Sequence, residues 1–544
     1  MKIALAQLNY HIGNFDANTA QICNHIRKAK TEGADLVVFA ELSVCGYPPR
    51  DFLEFPDFIR RCYEALDIIA AECTGIAAIV GAPAINERVE GKNLFNAAWF
   101  LHEGKVQSFH AKALLPTYDV FDEYRYFEPA FSFNCIDYKG QRIALTVCED
   151  LWDVEDDLMY TRWPMEELIG MQPTVMVNIA ASPFNYNHAA NRRKVLAHNV
   201  QKYGIPLVYV QQVGAQTELV FDGGSLVLNR KAEVVHELAY FREDFRIISL
   251  AEVDSLPPVA DNGSTAISRI HDALVLGIGD YFRKMGFKRA ILGLSGGIDS
   301  AMVLVLAARA LGPENVLPVL LPSEYSTSHS IDDSVKLCQT LGIKYDTIPI
   351  RKGYDAVLEM LQPQFAGTPF NVAEENIQAR IRAITLMGIA NKHGYILLNT
   401  TNKSEAAVGY GTLYGDMCGG IAVLGDVYKT KVYELARWIN REQEIIPENI
   451  IRKAPSAELR PGQKDSDSLP EYDVLDQVLY QYIELRQGPR ELVAMGFDEA
   501  LVNRVLKLVN SNEWKRAQFA PILRVTPKAF GSGRRMPIVG KYLG

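Results

Sequence analysis

Twice along its length the chain alternates short apolar, strand-like runs with amphipathic helical stretches, and one Pro, Gly and Asp-rich segment, VDSLPPVADNGS (253–264), separates the two alternations. Such alternation calls for sheets covered by helices, so each half reads as an α/β domain. In the first half KIALAQL, DLVVFAE, AAIVGAP, RIALTVCED, TVMVNIA, PLVYVQQV and SLVLN are strand-like, and apolar residues recur at helical spacing over 16–31, 57–72 and 188–203. The second half runs helix 267–285, RAILGL, helix 300–311, NVLPVLL, helix 326–341, KYDTIPI, helix 372–393 and YILLNTT. That is the order of a doubly wound parallel sheet, whose ligands sit at the carboxyl ends of its strands. The expected division is a first domain over 1–252, an exposed linker over 253–265 and a second domain over 266–544.

Composition narrows the partners. With 56 Lys plus Arg against 65 Asp plus Glu the formal net charge is −9, which suits small-molecule chemistry better than a nucleic-acid backbone. No stretch approaches the roughly 18 uninterrupted apolar residues of a membrane helix. The N-terminal MKIALAQLNYHIG lacks the apolar core of an export signal, so a cytoplasmic protein without membrane or nucleic-acid partners is expected. The eight cysteines (Cys23, Cys45, Cys62, Cys73, Cys135, Cys148, Cys338 and Cys418) form no CxxC pair and read as reduced thiols, mostly core filler.

GLSGGIDS stands where an apolar strand ends and a helix begins, and comprises Gly293, Leu294, Ser295, Gly296, Gly297, Ile298, Asp299 and Ser300. Two adjacent glycines let the backbone turn closely around an anion, the serines offer hydroxyls, and the helix start adds free N–H groups. The Walker spacing and its lysine are absent. An acid in such a loop makes sense if Asp299 holds a Mg²⁺ that bridges phosphate oxygens.

SGGIDS resembles the pyrophosphatase-type loop of ATP-dependent adenylating enzymes, a group that includes NAD, GMP, asparagine and argininosuccinate synthetases and tRNA-thiolating enzymes. ENIQARIR (375–382), NTTNKSE (399–405), YGTLYGDM (410–417), PSAELRP (455–461), WKRAQ (514–518) and FGSGRRMPI (530–538) resemble the NAD synthetases, in that order. This resemblance implies that residues 293–300 and Thr400 bind ATP, that Asn376, Glu405 and Lys515 bind the deamido-dinucleotide, and that Asp299 and Glu405 sit at the metal. It also implies assembly into a homo-oligomer through this domain. From Trp514 onward the chain carries Lys515, Arg516, Arg524, Lys528, Arg534, Arg535 and Lys541 without an acid, which suits a dinucleotide phosphate or a subunit contact.

In the first half Cys148 leaves the strand RIALTV at its carboxyl end, just before Glu149 and Asp150. A thiol that attacks a carboxamide needs a base for its proton and a cation or N–H donors for the oxyanion; Glu41, after DLVVFA, and Lys112, in FHAKALLP, are candidates. ELSVCGYPPRD, HAKALLPTYDVFDEYRYF and TVCEDLW resemble the Glu, Lys and Cys segments of nitrilase-type glutaminase domains. The resemblance implies an αββα sandwich with Glu41 as proton acceptor, Lys112 as oxyanion stabiliser, Cys148 as nucleophile and Glu123 as a supporting carboxylate. Tyr118, Ser182 and His188 fall at glutamine-contacting positions, although a lysine or arginine is usual where His188 stands.

Taken whole, the chain resembles the glutamine-dependent NAD synthetases. Glutamine would be cleaved at Cys148 and its ammonia used to amidate deamido-NAD that ATP has adenylated, with Mg²⁺ on the pyrophosphate and an internal passage for ammonia. A GMP-making amidotransferase should lack the ENIQAR, YGTLYGDM and FGSGRR segments together, and a non-enzymatic scaffold should have lost Glu41, Lys112 or Cys148. All are present.

Overall fold

The computed structural model describes residues 1–152, 154, 159–260 and 263–542, and the chain divides into two compact units, Met1–Ser264 and Thr265–Gly544. Residues 261 and 262 of the expected linker, and 543 and 544 at the C-terminus, lie outside the described residues.

In the first unit one six-stranded sheet runs, edge to edge, Asp244–Ser249, Lys2–Gln7, Leu36–Val38, Ala77–Ile85, Leu94–His102 and Lys105–Ala111. The other runs Val234–Glu237, Leu226–Leu228, Leu207–Gln211, Val175–Ala180, Gln141–Val147 and Ile136–Tyr138. Period-two alternation decides which face meets what. Ala4, Ala6 and Val37 pack with Ile22, Ile26, Leu66 and Ile69 of the helices Phe15–Thr31 and Pro56–Glu72. Ile3, Leu5, Leu36 and Val38 pack instead with Leu145, Val177 and Val208 of the second sheet, in a core that also takes Leu196 and Val200 of the helix His188–Tyr203. The result is an αββα sandwich.

The periodicity analysis misses the hairpin Leu94–His102 and Lys105–Ala111. Its first strand is buried on both faces and so shows no alternation, and its turn uses Glu103 and Gly104, both at positive φ. This hairpin delivers Lys112. The segment expected as an exposed linker begins inside the first unit: Val253 is buried, and the Val259 N–H donates to the Val234 carbonyl at 2.8 Å.

The second unit holds a five-stranded sheet in the order Asp346–Thr347, Val316–Leu320, Arg289–Gly293, Tyr395–Asn399 and Ile421–Ala422, with every pairing parallel. The helix Ile298–Leu311 fills its centre, buried from Ser300 to Ala308. It starts two residues before the apolar pattern does, so Asp299 lies in its first turn rather than in the loop. KYDTIPI contributes only a two-residue edge strand, and the helix Arg351–Phe365 escapes the pattern because Tyr354 is its one buried residue and Gly353 and Pro363 interrupt it. A helical cluster around Tyr472–Leu479 and Glu499–Ser511 packs on the helix Lys403–Val408.

Of the basic C-terminal residues, Arg516, Arg524 and Arg534 are buried and serve internal contacts, whereas Lys515 lines a cavity and Arg535 and Lys541 are exposed. Arg516 donates to the carbonyls of Ala406, Ala407 and Val509, Arg516 and Arg534 share Glu513, and Arg524 donates to the carbonyls of Thr526 and Pro527. The Arg516 guanidinium there satisfies carbonyls that the ends of the helices Lys403–Val408 and Glu499–Ser511 leave unpaired.

Candidate functional site

The strand Gln141–Val147 is buried from Ile143 onward and hands over to Cys148, whose φ of +41° is a left-handed value that residues with a side chain rarely adopt. Strands ending at Val38 and Ala111 place Glu41 and Lys112 in the same buried site. Lys112 Nζ donates to Glu41 Oε1 at 2.8 Å and to Glu123 Oε1 at 2.9 Å. Asn96 Nδ2 donates to Glu41 Oε1 at 2.7 Å, the Ala181 N–H donates to Glu41 Oε2 at 2.9 Å, and Tyr47 OH donates to Glu123 Oε1 at 2.8 Å.

The electrostatics follow from burial and from these partners. Burial opposes the Lys112 charge, but Glu123 and Glu41 outweigh it and hold its pKa well above the lysine range. Burial pushes the Cys148 thiol well up, Glu41 pushes it further, and Lys112 partly offsets both. The resting thiol is therefore protonated, and its activation needs a base.

Beside the thiol, burial raises Glu149 to about 7, against the pull of Lys112 and of Tyr118. Tyr118 OH donates to Glu149 Oε1 at 2.8 Å and Tyr160 OH donates to the same oxygen at 3.2 Å. Ser182 Oγ and His188 Nε2 are 2.8 Å apart, and the Trp152 ring stacks on His188 at 4.9 Å between centroids. The three glutamine-contact candidates thus form two groups, Tyr118 with Glu149 and Ser182 with His188. Sequence reasoning missed Asn96, Tyr160 and the part played by Glu149. Only Glu149 carries a signal, its place next to Cys148.

In the second unit a cavity of about 480 Å³ opens at the carboxyl ends of the central strands. Thr400, Asn376, Glu405, Lys515 and the whole of 293–300 except Gly296 line it. Gly296 has φ +78° and faces the backbone of Ser330, where a Cβ would come within 2.4 Å of the carbonyl oxygen. No other residue fits that turn. Ser295 Oγ accepts from the Gly297 N–H at 3.2 Å and lies 3.1 Å from Ser300 Oγ, so the loop is braced by its own hydroxyls.

Asp299 accepts from Asn402 Nδ2 at 3.0 Å and from Lys429 Nζ at 2.5 Å, and Lys429 reaches Glu405 Oε1 at 3.5 Å. Burial, then the nearby Asp299 and Asp465, raise Glu405 to about 8 despite Lys429. Asn376 Oδ1 accepts from Thr412 OH at 2.6 Å, and Lys515 Nζ donates to the carbonyls of Gly409 and Gly411 at 2.9 and 3.1 Å. Lys429 had no signal in the sequence, where it stands in an unremarkable helix start. Two hard carboxylates suit Mg²⁺, but among the described residues no three His, Cys, Asp or Glu side chains group into a cage. Asp299 and Glu405 would suit Mg²⁺, an ion commonly bound through only one or two protein carboxylates.

Family models match both units: carbon-nitrogen hydrolase over residues 2–256 and NAD synthase over residues 270–519. The chain is 45% identical over 556 residues to the glutamine-dependent NAD(+) synthetase of Synechocystis sp., covering 99% of each protein. It is 42% identical to that of Xanthomonas campestris, covering 100% of this chain and 98% of that one. The solved glutamine-dependent NAD+ synthetase of Acinetobacter baumannii, in complex with ADP, shares 37% identity at a TM-score of 0.78, with 99% of this chain and 98% of that chain covered. Among the described residues no helix is long and apolar enough to cross a membrane. With both halves matched in order and relatives aligned from end to end, the chain belongs to the glutamine-dependent NAD(+) synthetase family.

Proposed function

We propose that the chain makes NAD from deamido-NAD, ATP and glutamine, with amide hydrolysis in the first unit and amidation in the second. The observation that carries the reading is the buried Glu41–Lys112 pair in one site with a buried Cys148 in a left-handed turn. Glu41, oriented by Asn96 and the Ala181 N–H, takes the thiol proton, and the thiolate attacks the glutamine carboxamide. The oxyanion that forms meets the Lys112 ammonium, which Glu123 keeps charged. Glu41 returns the proton to the departing nitrogen, ammonia leaves, and water cleaves the thioester to glutamate. Tyr118, Ser182 and His188 hold the amino-acid end of the substrate.

In the second unit the hydroxyls and N–H groups of residues 293–300, with Thr400, bind ATP. Asn376, Glu405 and Lys515 hold deamido-NAD so that its nicotinate carboxylate attacks the α-phosphorus. Pyrophosphate leaves, and ammonia then displaces AMP from the acyl adenylate to give NAD. Asp299 and Glu405 would hold Mg²⁺, which supplies positive charge against the leaving pyrophosphate. Lys429 keeps those two carboxylates together. The reading places the enzyme in the cytoplasm, as a homo-oligomer joined through the second unit. The test supplies deamido-NAD, ATP and Mg²⁺ with either glutamine or ammonium and assays NAD, AMP and pyrophosphate. Absence of NAD with both nitrogen sources would overturn it.

A further inference from the structure

Two residues beyond the sulfur, Asp150 touches both halves of the first site through the backbone alone. It is buried, 5% exposed, and accepts three N–H groups: Ala113 at 2.9 Å and Leu114 at 3.0 Å on Oδ1, and Val147 at 2.9 Å on Oδ2. Ala113 and Leu114 directly follow Lys112, and Val147 directly precedes Cys148. One carboxylate therefore closes the turn around a residue held at φ +41° and clamps the chain just past the lysine.

We propose that Asp150 is a positioning residue, which sets the Lys112 ammonium against the Cys148 sulfur by tying the two backbone segments together. The proposal rests on the roles given above to Lys112 and Cys148. Those two residues come from different sheets, Lys112 after the strand Lys105–Ala111 and Cys148 after Gln141–Val147, so no ladder hydrogen bond runs between them. Asp150 supplies a direct link. Only an ionised carboxylate offers acceptors on both oxygens. An asparagine would keep one acceptor and set an NH₂ donor against an N–H on the other side, leaving a buried donor unpaired. Burial raises the Asp150 carboxyl to about 6 while the three N–H groups pull it down, so the clamp is charged at neutral pH.

The test compares wild type, Asp150→Asn and Asp150→Glu as full-length protein, by glutamate release and by the pH profile of Cys148 alkylation with iodoacetamide. Asp150→Asn should lower kcat for glutamine about 100-fold with KM within about threefold, the cost of a small misplacement of reacting groups. Its alkylation midpoint should shift upward, because the thiolate loses part of its lysine. Asp150→Glu, which keeps charge and acceptors on a longer stem, should recover at least about tenfold of the lost turnover. Ammonium-dependent NAD formation should stay within about twofold in both.

A kcat within threefold of wild type, a loss confined to KM, or an unmoved alkylation profile would overturn the proposal. So would a loss matching the unfolded fraction measured by circular dichroism, or two variants that both fail to fold, since either outcome makes Asp150 merely structural. Wild-type protein that releases no glutamate through Cys148 would instead sink the earlier reading of the site.

Discussion

In the first unit Glu41, Lys112 and Glu123 are all buried and satisfy one another through bonds of 2.8 and 2.9 Å. In the second, Asp299, Glu405 and Asp465 lie around one lysine, Lys429, and Glu405 is pushed up to about 8. Each site holds more carboxylates than lysines, but the first is closed by further donors, Asn96 and the Ala181 N–H on Glu41 and Tyr47 on Glu123, whereas the second lines an open cavity. The substrates explain the difference. A neutral carboxamide brings no charge, so its site must assemble base, cation and nucleophile beforehand, and burial makes that assembly effective. A polyphosphate arrives with cations, and a site built for it has to leave carboxylates to be neutralised from outside.

The most severe break of this comparison is Cys148→Ala. Glutamine-dependent NAD formation should fall at least about 1,000-fold, while the ammonium-dependent reaction stays within about threefold. Measuring NAD with each nitrogen source decides it, and equal losses would mean that the two sites are not separable. Asp299→Ala attacks the other site, where pyrophosphate release should drop about 100-fold or more while glutamate release persists. Near-normal pyrophosphate release would remove Asp299 from the phosphate chemistry.

Lys429→Met sharpens the contrast, because it removes the lysine that Asp299, Glu405 and Asp465 share. Ammonium-dependent synthesis should fall about 10- to 100-fold, with glutaminase activity untouched; an unchanged rate would mean that the ligands alone keep the carboxylates together. The mildest effect belongs to Glu149. Its folded pKa of about 7 lies above the ordinary glutamate value of about 4.3, so between them the folded state keeps a proton that the unfolded chain has lost. The stability it contributes is complete below about pH 4.3 and gone by about pH 7, on the order of 3 kcal/mol as an upper bound. Thermal unfolding of the wild type should therefore lose several degrees between pH 5 and pH 8, and Glu149→Gln should flatten that slope. A wild-type slope retained in the variant would assign the loss to other groups.

Much of both sites was legible from local context. Cys148 at a strand end, the double glycine before an apolar helix, and the order of the segments around Glu41, Lys112, Thr400 and Glu405 can all be found without coordinates. The fold was legible wherever apolar residues recur at helical spacing, as in the helices 16–31 and 57–72. It was obscured where burial on both faces erased the period, as in Leu94–His102, or where a helix packs so little of itself that no period was needed, as in Arg351–Phe365. The basic C-terminal run shows the limit of counting charges, since a guanidinium that caps buried carbonyls and one that meets a ligand look alike in a sequence.

Residue types and strand-to-helix junctions are local properties, so the sequence already contained the position of the proposed nucleophile, the proposed phosphate loop and the two-unit plan. Pairings across 71 and 130 residues, Lys112 with Glu41 and Lys429 with Asp299, depend on which sheets and helices come to lie side by side. Only the tertiary structure decides them, because a lysine is assigned to one carboxylate among many by where packing buries it, and burial is a property of the assembled chain.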